Sequence, residues 1–265
     1  MLRRLTTYYA VWYLTAANAL QETFVNRWTN LLFMSGKIIR LGMTLLVFFL
    51  IKENISSFAG YTPDQMIMFF LTYQFIDTIT QVFYRGVYIF SQKIRSGEFD
   101  FMLTKPISTL FQALTGRPDF NDALFIIPTT ALSIWIALQL DVVMTTSSAL
   151  WYGALLLNAF LIATALHILI MAVGVITTEI DGAVWIYRDL MQMGRFPVSI
   201  YLAPVRWALF FIVPVGMMIT IPTEVLVQAP PTYSMALAVL FGISFFLASL
   251  RIWNWSLKQY SSASS

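Results

Sequence analysis

Six apolar segments, each close to the length that crosses a lipid bilayer, constrain this chain more than any other feature. A transmembrane helix needs about 20 largely apolar residues. The segments lie near positions 33–51, 62–83, 123–140, 149–176, 200 to the interruption at Pro214, and 235–253. Charged residues make up only 11% of the chain, against about a quarter of a typical soluble domain. We therefore predict an all-α integral membrane protein with six transmembrane helices.

The scarcity of reactive side chains excludes several kinds of active site. The chain contains no cysteine, so disulfides, thiolate metal sites and cysteine nucleophiles are ruled out. Its single histidine, His167, is too little for a histidine metal cluster or a Ser-His-Asp constellation. We expect no enzymatic activity, no metal or cofactor bound by this chain itself, and no nucleic-acid partner.

A nucleotide site is also missing from the sequence. A P-loop needs the pattern G-x-x-x-x-G-K-[ST], so that backbone N–H groups surround the phosphates. The nearest string, Ser35-Gly36-Lys37-Ile38, lacks the first glycine and the final hydroxyl residue. Energy for any transport must therefore come from a partner ATPase or from an ion gradient.

Residues 1–31 predict an amphipathic helix in the membrane interface, which we call the elbow helix. Polar side chains recur every three or four residues and form one stripe: Thr15, Asn18, Glu22, Asn26 and Thr29. The other side is apolar and aromatic: Tyr9, Trp12, Ala16, Leu20 and Phe24. Such a helix buries its apolar face at the headgroup boundary.

Lysine and arginine side chains predict the orientation. With six spans and both termini in the cytoplasm, only Lys52 falls on the outer side, as the positive-inside rule requires. This arrangement places Arg188, Arg195 and Arg206 around a cytoplasmic loop that leads into the fifth span. Short outer loops are marked by Glu53, Asp141 and Glu224, and the serine-rich tail 261–265 is expected to be disordered.

Residues 215–231 interrupt an apolar run that is too short for two further spans. The interruptions are Gly216, Pro222, Pro230 and Pro231. A re-entrant hairpin on the outer side explains both the hydropathy and the breaks. A kinked helix followed by a loop explains them nearly as well.

The longest cytoplasmic connection, residues 85–120, joins the second and third spans. Its centre reads Lys93-Ile94-Arg95-Ser96-Gly97-Glu98-Phe99-Asp100-Phe101-Met102-Leu103-Thr104-Lys105-Pro106. Charged residues alternate with large apolar ones, which a purely solvated loop does not need. The apolar side chains fit the bilayer interface and a groove on a cytoplasmic partner equally well.

Two strings resemble the permease subunits of type-2 ATP-binding-cassette exporters. Residues 94–100 read Ile-Arg-Ser-Gly-Glu-Phe-Asp, and Leu-Thr-Lys-Pro-Ile follows at 103–107. The run Gly-Arg-Phe-Pro-Val-Ser-Ile-Tyr at 194–201 resembles the start of the fifth span in the six-span bacterial group. The elbow helix and the broken stretch after the fifth span are similar to the same group, so the resemblance covers nearly the whole chain.

The resemblance implies an exporter in the bacterial plasma membrane. A second copy or a diverged sister permease would complete the membrane part, and a cytoplasmic ATP-binding-cassette ATPase would bind ATP and Mg²⁺. The ATPase would dock on a coupling helix within residues 94–106. Carried over by position, its contacts are Arg95, Gly97, Glu98, Phe99, Asp100, Phe101, Leu103, Lys105 and Pro106.

A polar stripe marks the cytoplasmic half of the second span. Its members, spaced i, i+3, i+4 and i+7, are Gln74, Asp77, Thr78 and Gln81. A charge at mid-membrane costs about 2.5–3.5 kcal/mol on insertion scales, so the stripe should face protein or water. Asp77 lies about 14 residues from the outer end of its span, and Arg40 lies about 12 residues from the outer end of the first span. At roughly 1.5 Å per residue, the two side chains lie at the same membrane depth within one helical turn. We predict an Arg40–Asp77 pair that holds the two helices together; a place in the substrate path is the alternative.

His167 lies midway along the fourth span and is predicted to be a hydrogen-bonded structural histidine. A proton-coupled secondary transporter that uses Asp77 and His167 is the competing function. Inverted repeats with matching broken helices would support it, and the sequence shows none. A membrane-embedded enzyme has less support still, and the substrate of an exporter could be an amphipathic drug, a lipid-linked sugar or a lipid.

Overall fold

The computed structural model describes residues 2–54, 56–140, 145–228 and 230–261, without the side chains of Leu2, Arg3 and Arg4. The outer-loop position expected for Asp141 and the disorder expected after Ser261 lie outside these residues. Within the described part of the chain the regular elements are all helical. The predicted all-α class is therefore confirmed.

Twelve α-helices are present in the described ranges. They are α1 (Leu2–Val25), α2 (Arg27–Asn54), α3 (Pro63–Tyr84), α4 (Phe90–Arg95), α5 (Glu98–Thr104), α6 (Thr109–Thr115), α7 (Phe120–Ala137), α8 (Thr146–Thr177), α9 (Asp181–Gln192), α10 (Ala203–Phe211), α11 (Ile221–Val227) and α12 (Thr232–Gln259). Short 3₁₀ turns occupy Arg85–Ile89, Met193–Arg195 and Val198–Ile200, and Gly216–Thr220 is π-helical.

Five helical stretches of the described chain are long and apolar enough to cross a membrane: α2, α3 with its continuation to Arg95, α7, α8 and α12. They overlap the first, second, third, fourth and sixth predicted spans. The pair formed by α10 and Gly216–Val227 passes the same test together but is bent by 75°. This bend falls at the interruption that the sequence showed at Pro214.

The predicted start of the second span is observed in detail. Gln65 N–H donates to the Thr62 hydroxyl at 3.4 Å, and the Gln65 side chain accepts from Thr62 N–H at 2.9 Å. Pro63 occupies the first turn, where no backbone donor is needed. This capping box fixes where α3 begins.

The most closely packed part of the bundle is the pair of α8 and α12. Asn158 of α8 donates its side-chain amide to the Ala238 carbonyl of α12 at 3.0 Å. A Cβ atom at Gly242 would lie 2.0 Å from the Asn158 side-chain oxygen. Glycine at 242 is therefore what lets the two helices approach this closely.

The segment after α8 runs back along α3 inside the bundle. Arg188 lies over the Tyr88 ring at 5.7 Å, and Arg195 lies over the Tyr73 ring at 5.4 Å. Because Tyr73 is near the middle of α3, Arg195 has reached the middle of the bundle. The expectation that Arg188 and Arg195 lie in a cytoplasmic loop is therefore wrong. Because α9 is polar, its hydropathy gives no indication that it packs against α3.

The bent pair packs against segments that come earlier in the chain. Val198, just before α10, donates its backbone N–H to the Thr220 hydroxyl at 3.4 Å, and Tyr61 donates its hydroxyl to Glu224 at 3.2 Å. A Cβ at Gly194 would lie 2.8 Å from the Val215 side chain, next to the bend. The 75° bend fits a broken span and a re-entrant hairpin alike.

Candidate functional site

A cavity of about 420 Å³ lies between α2, α3, α7 and α9. All four residues of the predicted polar stripe line it: Gln74, Asp77, Thr78 and Gln81. The stripe therefore faces a cavity lined by other helices, as the cost of exposing polar groups to lipid requires. We call this space the charged cavity, because its remaining polar lining is ionic: Lys37, Arg40, Arg85, Asp122 and Arg188.

Two ion pairs join the helix ends around the charged cavity. Lys37 of α2 pairs with Asp122 in the first turn of α7, where the helix dipole also favours a negative charge. Arg85, just after α3, lies 3.8 Å from Asp119, which caps α7. Together these contacts hold α2, α3 and α7 in register.

Asp77 is buried, at 8% exposure. Among the described residues no carboxylate oxygen lies within 4 Å of Arg40. The predicted Arg40–Asp77 ion pair is therefore not formed. Both residues nevertheless line the same cavity, together with Arg188 of α9.

His167 lies outside this cavity and is held between two aromatic rings. Its Nδ1 is 2.8 Å from the Ala163 carbonyl, and the rings of Tyr84 and Tyr187 lie at 4.9 Å and 4.8 Å. The hydrogen bond agrees with a structural histidine. Asp77 and His167 do not line one cavity, so the geometry does not join them into a proton path.

The predicted coupling segment folds as two short helices, α4 and α5, around Gly97. Gly97 has φ +74°, a left-handed conformation that glycine adopts without the cost of a Cβ clash. Lys93 and Glu98 bridge the corner with a 3.0 Å ion pair. Arg95 is exposed and lies 3.6 Å from Glu179, and Lys105 and Pro106 are exposed after α5.

Phe99 does not lie on the surface as the predicted ATPase contact requires. It is completely buried, with the rings of Tyr260 at 4.9 Å, Phe90 at 5.2 Å and Trp253 at 6.5 Å. Asp100 likewise accepts a hydrogen bond from the Tyr260 hydroxyl at 2.9 Å. These two residues anchor α5 to the end of α12, because helical spacing turns them toward the bundle.

The exposed apolar side chains of α5 are Phe101 and Leu103, at 69% and 40% exposure. Both were among the predicted contacts. Met102, between them, is buried. Helix α5 is therefore anchored in the core by Phe99 and Met102 and leaves two apolar side chains, Phe101 and Leu103, exposed.

The elbow helix packs on the same connection. The Tyr8 hydroxyl accepts from Ser108 N–H at 3.0 Å, and its ring meets Phe111 edge-on at 4.9 Å. Further along, Glu22 pairs with Arg117 at 2.8 Å. Helix α1 thus braces residues 105–117, which the sequence placed in one coupling region.

Sequence reasoning missed four polar residues of the charged cavity: Lys37, Arg85, Asp122 and Arg188. A signal for Arg188 was present, because Val184, Tyr187 and Met191 recur at helical spacing and are all buried in α9. The charges among them favoured a loop interpretation. Asp122 carried no comparable signal, since its partner lies 85 positions away.

Long apolar helices around a charged cavity, with a short exposed helix anchored at one end, define a polytopic membrane permease. A family model described as ABC-2 family transporter protein matches residues 38–264. The chain belongs to this family. No significant match is found among curated proteins or among solved structures.

Family membership confirms the resemblance to ABC-2 permease subunits. The chain is a multi-pass transmembrane subunit of an ABC transporter. Subunits of this kind lack an ATPase site of their own and work with an ATP-binding-cassette subunit.

Proposed function

We propose that this chain is the permease of an ATP-driven exporter in the bacterial plasma membrane, with both termini in the cytoplasm. It pairs with a second copy or a sister permease, and each docks on a cytoplasmic ATPase that binds ATP and Mg²⁺. The cargo is amphipathic or lipid-like. Family membership supports the ATPase partnership, and the clustering of lysine and arginine supports the orientation.

The observation that carries this proposal is the combination of buried and exposed apolar side chains on the short helix α5. Phe101 and Leu103 face outward, and apolar side chains ringed by charge are typical anchors at a protein interface. Phe99 and Met102 face inward and are buried. A displacement of α5 by the ATPase is therefore passed directly to the packed ends of α4 and α12.

In this orientation, α9 and the following 3₁₀ turns provide the fifth crossing, and the bent pair is a re-entrant hairpin on the outer side. Arg206 then lies on the outer side with Lys52. Its guanidinium donates to the Ser199 carbonyl at 2.7 Å and the Tyr201 carbonyl at 3.2 Å. Arg206 thus caps the exposed carbonyls between the crossing segment and the hairpin.

A docking experiment on α5 tests the proposal. The full-length chain is co-purified with a candidate P-loop ATPase, and ATP turnover is measured in lipid. The double substitution Phe101→Ser with Leu103→Ser should abolish both association and stimulated turnover. The matched control is Phe58→Ser, because Phe58 is 48% exposed and lies before α3, at the other end of the bundle.

Equal ATPase binding by the α5 double variant and the Phe58 control would overturn the docking assignment. If no ATPase associates with the wild type under gentle conditions, the docking assignment is overturned as well. No contact in the described residues favours the proton-coupled alternative with Asp77 and His167, because the two side chains do not line the same cavity.

A further inference from the structure

Basic side chains outnumber acidic ones in the charged cavity. Its lining contains four cationic residues, Lys37, Arg40, Arg85 and Arg188, and two carboxylates, Asp77 and Asp122. Lys37 pairs with Asp122 and Arg85 with Asp119, whereas among the described residues no carboxylate oxygen lies within 4 Å of Arg40 or Arg188. The cavity therefore keeps an excess of positive charge after its internal pairs are formed.

Arg40 contributes to this excess positive charge because it has no carboxylate partner in the described part of the chain. No carboxylate oxygen lies within 4 Å of it among the described residues. A cation within a membrane helix is costly unless it meets water or an anion. A guanidinium is planar and always charged, and it binds phosphate oxygens through two parallel hydrogen bonds.

The charged cavity also has an apolar part to its lining. Leu32 and Phe33 of α2 contribute to it, as do Phe125 of α7 and Trp185 of α9, which is 65% exposed. Only 6% of the apolar window of α2 is buried in the chain. An apolar chain can therefore lie along α2 while a polar head occupies the cavity, whose volume of about 420 Å³ suits a headgroup rather than a whole lipid.

A second cavity of about 340 Å³ continues the polar lining toward the elbow helix. It shares Phe33, Lys37 and Arg85 with the charged cavity. Its own lining includes the amides of Asn26, Asn30, and Asn121. The basic residues Lys37 and Arg85 thus lie where the two cavities meet, next to the apolar side chain of Phe33.

We propose that the charged cavity binds the phosphate headgroup of an anionic amphiphile, with Arg40 and Arg188 as its cationic ligands. The inference rests on the proposed function and names its substrate class. Lys37 and Asp122 hold the cavity open by joining α2 to α7. The apolar chain of the amphiphile lies on the α2 side.

Binding of a defined phospholipid tests this inference without any ATPase. The full-length chain in detergent is titrated with short-chain phosphatidic acid, and bound lipid is counted by native mass spectrometry. The same titration uses phosphatidylcholine of equal chain length and inorganic phosphate as competitors. Phosphatidic acid should bind at least tenfold more tightly than phosphatidylcholine, and inorganic phosphate should displace it only weakly.

Arg40→Gln should weaken phosphatidic acid binding about tenfold, since it removes one charge-assisted contact. Arg40→Lys should retain most of the affinity. Arg251→Gln is the matched control, because Arg251 is exposed on α12 and lies outside both cavities. Arg188→Gln is made together with Asp77→Asn, because Asp77 lines the same cavity, and should also weaken binding.

Equal binding of the two lipids, or an Arg40→Gln variant that binds like the Arg251 control, would overturn the headgroup site. If inorganic phosphate binds as tightly as phosphatidic acid and displaces it completely, the ligand is not an amphiphile and the cavity is a site for a free anion. Either result leaves the permease assignment intact if α5 still docks the ATPase. Loss of docking with normal lipid binding would instead count against the exporter proposal alone.

Discussion

Helices α8 and α2 are both long enough to cross the membrane, yet they differ in almost every other respect. In α8, 67% of the apolar window is buried, against 6% in α2. Helix α8 carries no lysine, arginine, aspartate or glutamate, whereas α2 carries five such residues: Arg27, Lys37, Arg40, Lys52 and Glu53. The first helix is the packed centre of the chain, and the second borders its charged cavity.

The difference shows how stability and function are divided. Dense packing around α8 holds the bundle together, since van der Waals packing and interhelical hydrogen bonds are what hold transmembrane helices to one another. Loose packing around α2 leaves room for polar groups and a ligand, and such regions open at low energetic cost. The following changes test this division, from the largest expected effect to the smallest.

Gly242→Ala should be the most damaging single change, because it forces α12 away from α8. The new Cβ would lie 2.0 Å from the Asn158 side-chain oxygen. It would also disturb the hydrogen bond that the Asn158 amide donates to the Ala238 carbonyl. We expect a loss of about 2–3 kcal/mol in unfolding free energy from overpacking and the lost hydrogen bond. Thermal unfolding in detergent measures the loss. Gly153→Ala on α8 is the control, since nothing lies within 4 Å of its Cβ position; equal effects would refute the close-packing argument.

Lys37→Met should destabilise the cavity side by leaving Asp122 without its cation. The Asp122 side chain is 11% exposed and Lys37 is 30% exposed, so we expect a loss of about 2 kcal/mol, below the range for a fully buried pair. Adding Asp122→Leu should recover most of the loss, because the double variant no longer buries an unpaired charge. A double-mutant cycle by thermal unfolding checks the pair. Additive effects would show that the two residues are independent.

Tyr260→Phe should loosen α5 while leaving the bundle folded. It removes the 2.9 Å hydrogen bond to Asp100 but keeps the ring on Phe99. We expect a loss of about 1 kcal/mol in stability, with a larger drop in ATPase stimulation than in ATPase binding. Turnover and co-purification, measured on the same preparation, separate the two. Parallel losses would mean that Tyr260 shapes the docking surface and does not transmit movement.

Arg117→Ala should have the smallest effect, because both partners of its ion pair are exposed. Arg117 and Glu22 are 51% and 57% exposed at 2.8 Å separation, and such pairs contribute about 0.2–1 kcal/mol. Thermal unfolding at low and high salt should give nearly the same midpoint as wild type. A marked loss would mean that the elbow helix contributes to the fold as strongly as α8 does.

Several features of the candidate site could be predicted from local pattern alone. The spacing of Gln74, Asp77, Thr78 and Gln81 placed them on one face of α3, and the structure puts that face on the charged cavity. The surroundings of Asp77 could not be obtained in the same way, because helix depth restricts which residues meet but not how each helix is rotated. Arg188 lines the cavity because α9 packs beside α3, and the sequence of α9 is as polar as that of a loop.

The sequence by itself determined the membrane class, the course of five spanning helices and the start of α3. Hydropathy, cap residues and helical spacing are local properties, so no knowledge of neighbours was needed. The tertiary structure alone decided that α9 runs beside α3, that Phe99 faces the core, and that Lys37 pairs with Asp122. These depend on which surfaces exclude water or lipid once distant segments meet, and that is a property of the packed bundle.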